Sequence, residues 1–150
     1  PAAAKLELTI DDDNTLTKTD KKYNIVSVLA EVKLREIIEY MKKYYPDYYI
    51  ISKNVRTQLK SGSRSINENI RKTYENNPEE FFYSHNGITI LCEQLQKTPT
   101  TTSATKYTLQ QPNVINGGQT IMTLRDVPQT RINDEGTVLV KIFESVFIGQ

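Results

Sequence analysis

At 150 residues, 37% hydrophobic and 25% charged, the chain has the size of one domain and enough apolar material for a core. No apolar run approaches the roughly 20 residues that span a bilayer, and no signal peptide is visible. One cysteine, Cys92, excludes an internal disulfide and fits a reducing cytoplasm; with a single histidine, His85, it supplies too few ligands for a closed zinc site, so no metal or cofactor is expected.

Taken in chain order, KLELTI (5–10) alternates and predicts a strand. DDDNT (11–15) predicts a turn. Its carboxylate spacing resembles a calcium loop, but the sixth position is not glycine and the twelfth is Lys22. YNIVSVLA (23–30) predicts a buried strand. EVKLREIIEYMKKYY (31–45) predicts a helix: Leu34, Ile37, Ile38, Met41, Tyr44 and Tyr45 form one stripe, with Arg35, Glu39 and Lys43 on the other side. Pro46 ends it. The tyrosines of YYPDYYI (44–50) suit either a core wall or base stacking.

Net charge is +1, but residues 1–50 sum to −1 and residues 53–72 to +5. That basic window holds Lys53, Arg56, Lys60, Arg64, Arg71 and Lys72 against Glu68. It reads as a solvated surface or as a face for phosphates. Within it, Ser65 and Glu68 have the spacing of a capping box, and Ile66, Ile70 and Tyr74 give a narrow apolar face. Asn77-Pro78-Glu79-Glu80 repeats cap chemistry and leads a short helix that carries Phe81 and Phe82 inward. GITILCEQL (87–95) and KYTLQQPNVIN (106–116) predict two strands of a hairpin around a Thr-rich tip, the first part of the second strand being an edge because Pro112 interrupts it. GQTIMTLRDV (118–127) predicts a helix and TVLVKIF (137–143) a last strand. The expected fold is α/β in the α+β sense: a mixed sheet with a central hairpin and helices packed on it, without the clean alternation of a Rossmann fold.

The chemistry concentrates at NVINGGQTIMTL (113–124). A strand ending in Asn116-Gly117-Gly118 and turning into a helix leaves amides without internal partners. Two glycines permit close approach to the backbone, so the amides of Gly118, Gln119, Thr120 and Ile121 form a cradle for an anion such as phosphate. The plainer reading is a tight strand-to-helix turn, with Asn116 bonding its own backbone. Asn86 and Gly87 bring the same residue types to another strand mouth, and Asn54, Arg56, Asn67 and Arg71 supply further amides and guanidinium groups.

Together, NVR (54–56), INENIRKTYENNPEEFFYSHNGITILC (66–92) and NVINGGQTIMTL resemble the AIPR family, the abortive infection phage resistance proteins of bacteria. The resemblance covers roughly residues 50 to 125, with Asn54, Arg56, Asn67, Ile70, Arg71, Asn86, Gly87 and Asn116 to Thr120 at matching positions; the family often has Asn where this chain has His85. It implies antiphage defence, often beside DNA-modification or restriction genes, and defence-system proteins as partners. It assigns no catalytic residue. Members are longer, so residues 1–150 are expected to be a single domain of a longer protein. The Asn-Gly-Gly-Gln-Thr unit also resembles the phosphate-binding turn of ParB/sulfiredoxin-like folds, at the level of fold alone.

Three functions remain open from the residues. A module binding nucleic acid or nucleotide phosphates would use the basic window and the turn. A nuclease or nucleotide hydrolase would ordinarily need paired carboxylates on a metal, yet the acids cluster at 11–13 and 79–80, Glu68 is taken by a cap, and His85 is the one candidate general base of the usual kind. A protein-interaction module of a defence complex would use the tyrosines.

Overall fold

The computed structural model describes residues 4–23, 25–44 and 64–144. Among the described residues eight strands form two sheets. β1 (Lys5–Asp11), β6 (Ala104–Gln110) and β5 (Gln94–Pro99) make an antiparallel sheet in the order β1-β6-β5. β2 (Thr15–Asp20), β3 (Ile25–Lys33), β8 (Thr137–Glu144), β4 (Ile88–Cys92) and β7 (Asn113–Asn116) make the second, in the order β2-β3-β8-β4-β7, with only β4 and β8 parallel. The helices are α1 (Leu34–Tyr44), α2 (Arg64–Asn76), the single turn α3 (Phe81–Ser84) and α4 (Gly118–Leu124). No helix among the described residues is long and apolar enough to cross a membrane.

The fold is mixed α+β, as the patterns predict, but the expected single sheet is two. The hairpin is present and divided between them. β4 pairs with β7 in one sheet and β5 with β6 in the other. The ribbon bends at Glu93 on one strand and at Gln111-Pro112 on the other. Gln111 adopts a left-handed φ of 53° and its amide bonds the Ala4 carbonyl at 3.1 Å. A left-handed residue followed by a proline, which has no amide to give, stops one ladder and lets the chain re-aim into another. β6 is therefore the central strand of its sheet rather than an edge, because β1 returns from the far end of the chain to cover it.

One core fills the space between the elements. β1 alternates strictly, placing Leu6, Leu8 and Ile10 inward, and β8 contributes Val138, Val140 and Ile142. Leu34, Ile37, Ile38 and Met41 of α1 are buried as their spacing requires, and Tyr40 joins them. On α2, Ile70 and Tyr74 are buried but Ile66 is 50% exposed, so the predicted apolar face is one turn shorter. Phe81 is buried and Phe82 only half-buried. Asn77 caps with its carbonyl, which accepts the Glu80 amide at 3.0 Å, and its side chain makes no capping bond. α2 is helical from Arg64, so Ser65 sits within its first turn rather than ahead of it. β2, a polar TLTKTD stretch, was not expected as a strand.

Tyr74 ties α2 to the loop before β8. Its hydroxyl donates to the Asn133 carbonyl at 3.0 Å and accepts the Asn133 amide at 2.9 Å, while the Asn133 side chain donates to the Tyr74 carbonyl at 3.1 Å. The ring also packs where a Cβ on Gly136 would come within 2.6 Å of it. Tyr74→Phe removes the hydroxyl, keeps the ring and leaves two main-chain groups of Asn133 without their partner. A loss of about 1–3 kcal/mol is expected, read in thermal melts as a fall of roughly 2–4 °C in Tm for each kcal/mol; an unchanged Tm would show that the hydroxyl contributes nothing.

Candidate functional site

The two Asn-Gly stretches meet. Asn116, the last residue of β7, stands opposite Thr89 of β4, and a bulge between Thr89 and Ile90 shifts the register so that Val114 faces Ile90. Ile115, between Val114 and Asn116, is 40% exposed, while Val114 stays buried, as the alternation of a strand requires. Gly117 then takes a left-handed φ of 85° and starts α4. A Cβ there would lie 2.9 Å from the Gly87 carbonyl oxygen and 2.9 Å from Ile88 Cγ1. A Cβ on Gly87 would lie 2.6 Å from the Leu139 carbonyl oxygen. Chain packed against chain thus explains both glycines, without a guest.

The expected amide cradle is smaller than the sequence suggests. The Ile121 amide bonds the Gly117 carbonyl at 3.3 Å, and both Gly118 and Thr120 are buried, Thr120 at 9% exposure. Thr120 points its chemistry into the fold. Asn86 and Asn116 are the exposed members of the turn pair.

The Gln119 side chain is held within the fold. Its Nε2 donates to Asn67 Oδ1 at 2.9 Å, and Thr123 Oγ1 donates to the same oxygen at 3.1 Å. Gln119 and Thr123 are one helical turn apart on α4, so one carbonyl oxygen on α2 holds two rungs of α4. Thr123 was not among the candidates; its i, i+4 spacing from Gln119 was the available signal. Arg71 lies one turn along α2 from Asn67. Its side chain is 41% exposed, and its Nε is 3.6 Å from Glu75 Oε2, while Glu75 Oε1 is 3.4 Å from Arg131. Lys72 beside it is exposed. Asn54 and Arg56, with most of the basic window and the tyrosines beyond Tyr44, lie outside the described residues.

His85 flanks Asn86. Its imidazole stacks on Phe81 at 4.3 Å, its Nε2 is buried without a hydrogen-bond partner, and burial lowers its pKa below the ordinary 6.5. Cys92 is buried, its thiol donating to the Phe143 carbonyl at 3.6 Å, and burial pushes its pKa up to about 12. A thiol so held is a poor nucleophile.

Two outcomes follow from this geometry. Gly117→Ala places a side chain in a left-handed conformation and against the Gly87 carbonyl, with an expected loss of ~1–2 kcal/mol or more in urea unfolding; wild-type stability would mean that the turn has slack. For His85, the unfolded state takes up its proton first as pH falls. Its contribution to stability is therefore complete above 6.5 and is lost as pH drops from there through the lowered folded value. Unfolding free energies at about pH 7.5 and about pH 5.5 should differ less in His85→Gln than in the wild type; an identical difference would mean that His85 is not held neutral.

A family model described as AIPR protein matches residues 51–149, a stretch that contains α2, the β4 mouth, the Asn-Gly-Gly turn and α4. No curated protein and no solved structure matches the chain.

Proposed function

The chain belongs to the AIPR family, whose role is antiphage defence by abortive infection, and from that premise we propose that it binds nucleic-acid or nucleotide phosphates along α2 beside the Asn-Gly-Gly turn. The observation that carries this reading is the clamp of Asn67 on Gln119 and Thr123. It fixes the helix that bears Arg71 and Lys72 against the turn that bears Asn116, across 52 and 56 positions of sequence. The basic residues supply charge for phosphate, and the exposed amides of Asn86 and Asn116 supply neutral donors and acceptors for sugar or base edges. Arg71 is only loosely held, its Nε beyond hydrogen-bond distance of Glu75, so its guanidinium can turn to a phosphate without breaking a short bond.

The test is binding of fluorescent single-stranded RNA, single-stranded DNA and duplex DNA across a salt series. Log K against log salt should fall with a slope of roughly −0.7 to −0.9 for each phosphate neutralised. Arg71→Ala and Lys72→Ala should each flatten the slope by about one such unit. Asn67→Ala removes no charge, so it should weaken binding at a nearly unchanged slope by freeing α2 from α4. Gly118 is a poor site for this purpose, because it is buried and a larger side chain there would perturb packing. Absence of salt-sensitive binding to all three probes would refute the reading and leave a protein-interaction module as the better one.

A further inference from the structure

Among the described residues β1 is an edge strand, and its outer side faces α1 rather than another strand. Its main chain alternates. The Ala4 carbonyl bonds Gln111 on the β6 side, whereas the Thr9 amide points away and is taken by Glu36 Oε2 of α1 at 2.9 Å. The odd-numbered residues therefore present their amide and carbonyl to the outside. Glu36 closes the edge at Thr9, and no strand among the described residues covers the stretch from Lys5 to Glu7. A hollow of about 450 Å³ runs beside that stretch, with Lys5 and Glu7 on one wall and Glu36, Tyr40 and Lys43 on the other. A second, of about 560 Å³, continues past Glu36 along Thr9 and Asp11.

The α1 wall carries two polar atoms that the fold leaves unmatched. Tyr40 is 6% exposed, and its buried hydroxyl has no hydrogen-bond partner. One turn earlier, the Glu36 Oε1 is also buried without a partner, and burial raises the Glu36 pKa. The other carboxylates of the first hollow are matched, Glu7 to Lys106 at 3.4 Å and Glu39 to Arg35 at 3.4 Å. Glu36 has no cation at ion-pair distance among the described residues. An uncovered row of main-chain groups, a hydroxyl without a partner and a carboxylate that Lys33 reaches only from beyond ion-pair distance occur together in one groove.

We propose that this groove binds an extended peptide that adds as a strand to β1 at Lys5–Glu7 and places a lysine or arginine against Glu36. Main-chain groups of an edge strand are matched best by another main chain, and the helix wall supplies the side-chain selectivity. The carboxylates along the groove disfavour phosphate, which separates it from the face of α2 proposed for nucleic acid. The peptide is thus a second ligand class, independent of that reading.

The test uses a capped pentapeptide TVKVT, its counterpart TVEVT, and TVKVT with alternate main-chain nitrogens methylated. TVKVT should bind and slow hydrogen exchange at the amides of Lys5 and Glu7. TVEVT should bind about tenfold more weakly, and the methylated peptide should fail to bind. Glu36→Gln should erase the preference for lysine. Tyr40→Phe should weaken TVKVT binding by about three- to tenfold, the equivalent of one hydrogen bond. The comparison of methylated and unmethylated peptide uses the unaltered chain and stands even where a variant folds poorly. The proposal is overturned if TVKVT does not bind, if methylation makes no difference, if the Lys5 and Glu7 amides exchange as before, or if sedimentation shows the edge occupied by a second copy of the chain.

Discussion

The backbone of Gly87 runs between the Leu139 carbonyl on one side and Gly117 on the other, with no room for a Cβ at either glycine. This approach brings the β7–α4 turn down onto the mouth of β4 while β4 keeps its parallel ladder with β8. Because Gly117 is left-handed, α4 leaves β7 at an angle that carries Gln119 and Thr123 to Asn67. α2 is held from its other end by Tyr74 on Asn133, just ahead of β8. Thus the helix with the exposed cations is referenced twice to the same central strand. A polar surface built in this way is positioned by neutral hydrogen bonds, with Arg71 paired to Glu75 and Lys72 exposed beside it.

Much of the fold was legible where one period dominates. The 3.6-residue stripe of α1 and the alternation of β1 and β8 follow from local sequence, since each needs only one face buried. The division into two sheets was not legible, because it depends on a left-handed Gln111 and on which strand comes to lie beside β6 from a hundred positions away. β2 carries little apolar signal, because its side chains are mostly exposed and Leu16 is its one large apolar residue. Ile66 misled because an apolar residue at helical spacing is buried only if something lies over it.

The candidate site divides in the same way. Asn67, Gln119, Gly87 and Gly117 do share one neighbourhood, and the residue types were a fair guide to that. Their roles differ from the expectation: Gln119 is a structural donor, Gly87 and Gly117 are spacers for the main chain, and Thr120 is buried. Sequence distinguishes poorly between a glycine that admits a ligand and one that admits a neighbouring strand, since both demand the same absence of a side chain.

The order of the five-stranded sheet has a consequence for how the chain is made. β8 is its middle strand and, among the described residues, the last in sequence, pairing with β3 on one side and β4 on the other. Before β8 is made, β2–β3 and β4–β7 can form only as separate pairs, each with unpaired main-chain groups on the edge that β8 later covers. Such edges invite pairing with other nascent chains. Closure of the sheet therefore waits on β8, whose pairing with β3 spans more than a hundred positions, a long-range contact of the kind that slows folding.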